Sequence, residues 1–213
     1  MVLLFGVLYA TLLGYETRTH LPYVSCGLVV WILYSEIIIR SCTVFTVSAA
    51  FVQQLSLPKS TYVFRVVASE LINFFYSFLI ILLPIQIWSG IYFAGIPLAI
   101  VGLILILVNA VGLGFILSVI SLRFRDVAPM VSHLMRPLLF LTPIIWTSDK
   151  FPDRAFFIDA NPFYHVVEIF RQPMLGESAQ FESYLAVIFI TLVIWVLAIL
   201  LLARYRARIP YWV

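Results

Sequence analysis

Long apolar runs divided by short polar breaks make up almost the whole chain. A helix rising 1.5 Å per residue needs about 20 apolar residues to cross ~30 Å of hydrocarbon. On that measure residues of about 23–47, 63–88, 96–122, 127–146 and 183–203 read as membrane-spanning helices. Residues of about 1–14 are equally apolar but reach only ~21 Å, so they read as the back half of a first span that begins upstream. They carry neither a basic leader nor a small-residue cleavage site, which argues against a cleavable signal peptide. The expected fold is an all-α polytopic membrane protein: one transmembrane domain over residues 1–213, with six transmembrane helices, the first truncated.

The breaks carry the detail. Residues 16–22 read as a short polar loop. Residues 48–62 are less apolar and hold Gln53, Gln54, Leu57, Pro58 and Lys59, a pattern that predicts an interfacial helix and turn. Trp88, Tyr92 and Phe93 flank the glycines and proline of the next turn and read as an interfacial aromatic anchor. Arg123, Arg125 and Asp126 would each cost about 2.5–3.5 kcal/mol at the centre of a span, so this turn must leave the bilayer. The long polar region 147–182 is more than a loop. Asn161 followed by Pro162 predicts an N-cap with proline at the first helical position. Phe163, Val166, Val167, Phe170 and Met174 then share one helical face, with Tyr164, His165, Glu168 and Arg171 elsewhere and Gly176 as a stop. Such a stretch is expected to lie in the interface or to re-enter the bilayer between the fifth and sixth spans.

Composition agrees: 63% of residues are hydrophobic and 11% charged, against about 25% charged in a soluble domain. Charge position orients the chain. One set of loops and flanks holds Lys59, Arg65, Arg123, Arg125, Arg136, Arg204, Arg206 and Arg208, Arg136 only if the fifth segment begins at the interface. The other holds Arg18, Lys150, Arg154 and Arg171 among seven acidic residues. Eight against four places the first set, and both termini, in the cytoplasm. Cys26 and Cys42 share one span and would lie about 24 Å apart, too far to bridge. Neither Lys59 nor Lys150 follows a phosphate-binding glycine loop, so ATP hydrolysis is not expected of this chain. The histidines and cysteines lack metal-ligand spacing, and there is no G-x-S-x-G elbow. No catalytic, cofactor-binding or metal-ligating residue is expected, and nothing points to nucleic acid.

Polar groups inside spans are expensive and therefore informative. Glu36 and Arg40 are four apart and share a face. Arg40 and Glu70 sit at matching depths, about 10 Å from the same end, and can meet across a helix interface. They read as a polar lining for a transport path or gate, or as an ion pair that orients helices. Trp31 and Tyr34, with Phe45 and the cluster Phe74, Phe75, Tyr76 and Phe78, can stack on sugar rings or simply pack. Ala110, Gly114 and Ser118 form a small-residue ridge for close helix approach.

Taken in order, these features resemble the membrane subunit of ABC-type polysaccharide exporters, the type-2 permease class that moves O-antigen, capsule or teichoic acid. The resemblance rests on Val30-Trp31 with Ser35-Glu36 and Arg40; on 53–59, QQLSLPK; on Arg123-Phe124-Arg125-Asp126; on Thr142-Pro143-Ile144-Ile145-Trp146; on Asn161-Pro162 with Arg171 and Leu175-Gly176; and on the basic-aromatic tail from Arg204. Gln53-Gln54 stands where that family commonly has basic residues, and the first span is short. The resemblance implies a homodimer in the bacterial inner membrane, bound to two separate ATP-binding cassette subunits that hold the ATP and Mg. It implies a coupling helix within 48–62, outer gate helices within 147–182, and a path along the dimer interface for a lipid-linked polysaccharide. Another cargo of the same permease class, such as a drug or other lipid, and a non-transporting scaffold of glycan assembly are the competing readings.

Overall fold

In a computed structural model, residues 2–54, 57–90, 93–147, 158–177, 179–206 and 208–212 are described, and they form helices and the turns between them. The helices are α1 (Val2–Leu13), α2 (Thr17–Val47), α3 (Ala49–Gln54), α4 (Ser60–Ser77), α5 (Leu83–Ser89), α6 (Ile96–Arg123), α7 (Val127–Leu141), α8 (Pro162–Met174), α9 (Phe181–Tyr205) and α10 (Ile209–Trp212). A π-helical turn, Phe78–Leu82, joins α4 to α5 without a break. Its cause is Pro84: the proline has no N–H for the ladder and its ring crowds the preceding turn, so the helix widens just before it. Tyr92 of the expected aromatic anchor, and Lys150 and Arg154, lie outside the described residues.

Four segments are long and apolar enough to cross a membrane: α2, α4 through α5, α6 and α9. Their boundaries follow the hydrophobic pattern closely, with one departure. Helix α2 starts at Thr17, so most of the expected polar loop is its first turn and a half. The Glu16 carbonyl accepts from the Thr19 and His20 amides, and His20 and Leu21 are buried, so packing draws these residues into the helix. Helix α7 stops at Leu141, 15 residues long, or ~22 Å. Thr142–Trp146 continues from it as a turn rather than as helix, buried from Thr142 to Ile145 and half-buried at Trp146.

Helix α2 is the central post, buried along most of its length, with α1, α4, α6, α7 and α8 against it. In a bilayer there is no hydrophobic force between spans, so close backbone approach and buried hydrogen bonds must hold them. The ridge on α6 supplies the first. Ala110, Gly114 and Ser118 are buried, and a Cβ on Gly114 would lie 2.8 Å from Ser41 Oγ on α2. Its partner is therefore within the same chain. A relay across three spans supplies the second: Tyr34 Oη donates to Asn109 Oδ1 at 2.6 Å, and Asn109 Nδ2 donates to Thr191 Oγ1 at 2.8 Å. The outward faces of α4, α5 and α9 are rows of exposed Leu, Ile, Val and Phe, as lipid contact requires.

Candidate functional site

The ion cluster forms where α2 and α4 cross. Arg40 Nη1 lies 2.8 Å from Glu70 Oε1, and Arg40 Nε lies 3.4 Å from Glu36 Oε2. The first contact is a close ion pair whose angle falls short of a hydrogen bond. Asn73 Nδ2 donates to the other Glu70 oxygen at 3.1 Å. Burial is uneven: the Glu70 side chain is 3% exposed, Arg40 53% and Glu36 41%. The cluster is thus anchored inside and opens on the surface of the chain. On α7, which also packs on α2, His133 and Arg136 are exposed. Trp31 and Tyr34 do not join this cluster. Both are buried and stand edge-on to Phe163 of α8, at 5.7 and 6.1 Å between ring centres.

The second polar centre lies at the opposite end of α2, around α8. Asn161 caps α8 as expected, its Oδ1 accepting from the Phe163 amide at 3.0 Å, with Pro162 next. Gly176, at φ 86°, ends the segment in a conformation that suits glycine. The expected division into an apolar and a polar face does not leave the polar side in water. Tyr164, Glu168 and Arg171 are buried along with Val166, Val167 and Phe170. Arg171 is wholly enclosed. Its Nε donates to Glu168 Oε2 at 2.8 Å, Nη2 meets the same oxygen at 2.5 Å, and Nη1 donates to the Pro143 carbonyl at 2.7 Å. Its guanidinium lies 3.9 Å over the Tyr23 ring. Gln172 and Tyr164 both donate to Glu168 Oε1, at 2.8 and 3.2 Å. Burial, and then the Glu168 carboxylate, push the Tyr164 phenol above its ordinary pKa, so it stays a donor. Gly27 keeps the pocket open on the α2 side, since a Cβ there would be 3.0 Å from Ile144 Cγ2 and 3.6 Å from Arg171 Nη1. One arginine thus ties α8 to α2 and to the Thr142–Trp146 turn. Asn161 Nδ2 adds a donor to Thr142 Oγ1 at 3.2 Å.

The remaining predicted residues sit at the basic end. Gln53 and Gln54 close α3 and are exposed, as are Leu57 and Pro58. Lys59 Nζ donates to the Val52 carbonyl at 3.4 Å, folding the turn back on α3. Arg123, Arg125 and Asp126 are exposed between α6 and α7. The Arg123 guanidinium lies 5.7 Å from the Trp212 ring centre, so the tail packs under this turn.

A model of the ABC-2 type transporter family matches residues 1–175. The chain belongs to the ABC-2 type transporter family. It is therefore the membrane subunit of a type-2 ABC transporter, a multi-pass membrane protein. Among similar proteins, one O-antigen export system permease protein RfbA of Klebsiella pneumoniae is 24% identical over 216 residues, 96% of this chain and 82% of the relative. Another RfbA from Klebsiella pneumoniae is 23% identical over 198 residues, 89% of this chain and 75% of the relative.

Against that membership, the sequence missed several residues. Asn109 and Thr191 each interrupt an apolar span, a signal as plain as that of Glu70. Glu168 was legible as a charge but not as the buried partner of Arg171. Tyr23 and the Pro143 carbonyl carry no sequence signal of their own.

Proposed function

We propose that this chain is the membrane half of an ATP-driven exporter of a lipid-linked polysaccharide of the O-antigen class. Two copies assemble in the bacterial inner membrane, and two separate ATP-binding cassette subunits dock below. The basic end of the bundle faces the cytoplasm, by the distribution of Lys and Arg. The chain crosses six times, through α1, α2, α4–α5, α6, α7 with its turn, and α9, and α8 forms an outer re-entrant segment. What supports the crossing by α7 is its start beside Asp126 and its continuation to Pro143, whose carbonyl accepts from Arg171.

The half-open Glu36–Arg40–Glu70 cluster carries the reading. Charged groups this exposed in a span cannot face hydrocarbon cheaply. They call for an aqueous path or the surface of a second copy, and a path between two copies satisfies both. Cargo chemistry rests on the similarity to O-antigen export permeases. The exposed α3–Pro58 turn suits a docking helix for the energy-supplying subunit.

The test is made in cells lacking this protein. Polyprenyl-linked glycan is expected to accumulate on the cytoplasmic face, and the intact chain is expected to clear it. Arg40→Gln is expected to clear it poorly while inserting normally. Normal surface glycan in the deletion strain, with a drug or another lipid retained instead, would transfer the chain to a different cargo.

A further inference from the structure

Five arginines gather at the foot of the edge that α6 and α9 form. Helix α9 is an outer span, with Val196, Leu197, Ile199 and Leu200 exposed along its last turns. Directly below them come Arg204, Arg206 and Arg208, all exposed. Arg123 and Arg125 are exposed at the end of α6 and just beyond it. Ile209 is buried and pins α10 against α6, which brings the two groups together.

An aromatic pair organises the cluster. The rings of Tyr205 and Trp212 lie 5.6 Å apart. The Arg123 guanidinium stands 5.7 Å from the Trp212 ring centre, and those of Arg204 and Arg208 each stand 5.8 Å from that of Tyr205. These are cation–π distances. An arginine stacked by its face keeps its N–H edge free to grip a phosphate. Among the described residues, none of the five pairs with a carboxylate. Residues 183–213 contain no acidic side chain, and Asp126 is the one acid of residues 71–148. Cations drawn around one aromatic pair repel each other until an anion joins them.

Position sets which anion that is. The cluster hangs from a lipid-facing side of the bundle, below the exposed apolar run of α9, with the exposed rings of Phe124 and Tyr211 beside it in sequence. Arginines and amphipathic aromatic rings at the end of a span sit at the level of the lipid headgroups. We infer that this cluster binds anionic phospholipid of the adjoining leaflet. The phosphate is held by the free edges of the arginines around Tyr205 and Trp212, and the acyl chains lie along the exposed face of α9. A zwitterionic headgroup brings a cation along with its phosphate, and the arginines repel it. Each basic residue near an anionic membrane surface strengthens binding about fivefold. That this leaflet is the cytoplasmic one rests on the orientation proposed above, whereas the preference for anionic lipid does not.

The full chain, purified with any subunit that accompanies it and stripped of lipid, is offered phosphatidylglycerol and phosphatidylcholine at equal mole fraction. Native mass spectrometry then counts retained lipid. Retention in detergent depends on neither orientation nor cargo, so failure here and failure of the proposed function are separate results. Phosphatidylglycerol is expected to be retained at least tenfold more than phosphatidylcholine. Arg204→Gln, Arg206→Gln and Arg208→Gln together are expected to abolish the preference, and Arg204→Lys, Arg206→Lys and Arg208→Lys together to keep most of it. Arg206→Gln alone, at an exposed position, is expected to weaken retention about fivefold even if the triple variant fails to fold. Trp212→Leu leaves every charge in place and is expected to weaken it severalfold. Arg18→Gln, at the opposite end of the bundle, is expected to leave it within twofold. Equal retention of the two lipids, a preference that survives the glutamine variants, or an equal loss from Arg18→Gln would overturn the assignment.

Discussion

Arg171 is the residue on which the outer half of the bundle depends most. An enclosed guanidinium is tolerable only because a carboxylate, a carbonyl and an aromatic face surround it. Arg171→Met removes the cation and leaves Glu168 buried and charged, which is expected to cost about 3–5 kcal/mol. The double variant Arg171→Met with Glu168→Leu removes the stranded charge and is expected to recover much of that loss. Thermal unfolding of the purified protein in detergent checks both, and equal midpoints for the single and double variants would count against a coupled pair. Asn109 belongs to a milder class. Hydrogen bonds between spans average about 0.6 kcal/mol and reach about 1.7 kcal/mol, because an unfolded chain in the membrane also finds partners. Asn109→Leu breaks two of them, and a loss of about 1–2 kcal/mol is expected on the same assay.

At the scale of elements, glycine sets how close α8 comes to α6. A Cβ on Gly102 would collide with the carbonyl of Ile169, and one on Gly95 with the carbonyl of Pro173. Neither obstacle is the movable end of a side chain, so the helix itself would have to retreat. Gly102→Leu is therefore expected to lift α8 and break the Tyr184 Oη to Ile169 carbonyl hydrogen bond of 3.3 Å. Faster cleavage within 158–177 by added protease would report it, whereas Gly90→Ala, with open space around it, strains its own turn but leaves α8 in place. Neither glycine announced this contact in the sequence, because small residues in an apolar run fit a ridge, a turn or nothing. Four of the expected spans, α2, α4 through α5, α6 and α9, were legible, since hydrocarbon imposes one length and one composition on them. The Arg40–Glu70 meeting was legible for a related reason: two charges at matching depth have few places to go. The burial of α8 on both faces was not legible. Periodicity shows which residues are apolar, and it does not show that Arg171 and Glu168 neutralise each other and so let the polar face be covered as well.

Across the whole molecule, chemistry is divided between two ends joined by α2. One end holds the Arg171 tether and α8. The other holds α3, the Lys59 turn, and the Arg123–Asp126 turn with the tail packed beneath it. The ion cluster lies between them, on the same helix as Tyr23 and Gly27. On the function proposed above, a separate energy-supplying subunit grips the basic end. The grip that α3 and its turn offer is small: exposed Phe51 and Leu57, the rigid Pro58, and Gln53 and Gln54, with the half-buried Lys59 as the one cation of residues 49–59. Shape and apolar contact should therefore dominate the docking over Coulomb attraction, and salt should affect it little. Replacing Leu57, Pro58 and Lys59 together by alanine is expected to cut recovery of the ATP-binding subunit at least tenfold in a pull-down from detergent extracts. The spans, which make no use of these residues, should stay folded, as a size-exclusion profile would show. Leu57→Asp alone should reproduce most of the loss, and raising the salt tenfold on the unaltered chain should leave recovery within about twofold. Full recovery from the triple variant would move the docking surface to the Arg123–Asp126 turn, whose four residues are exposed.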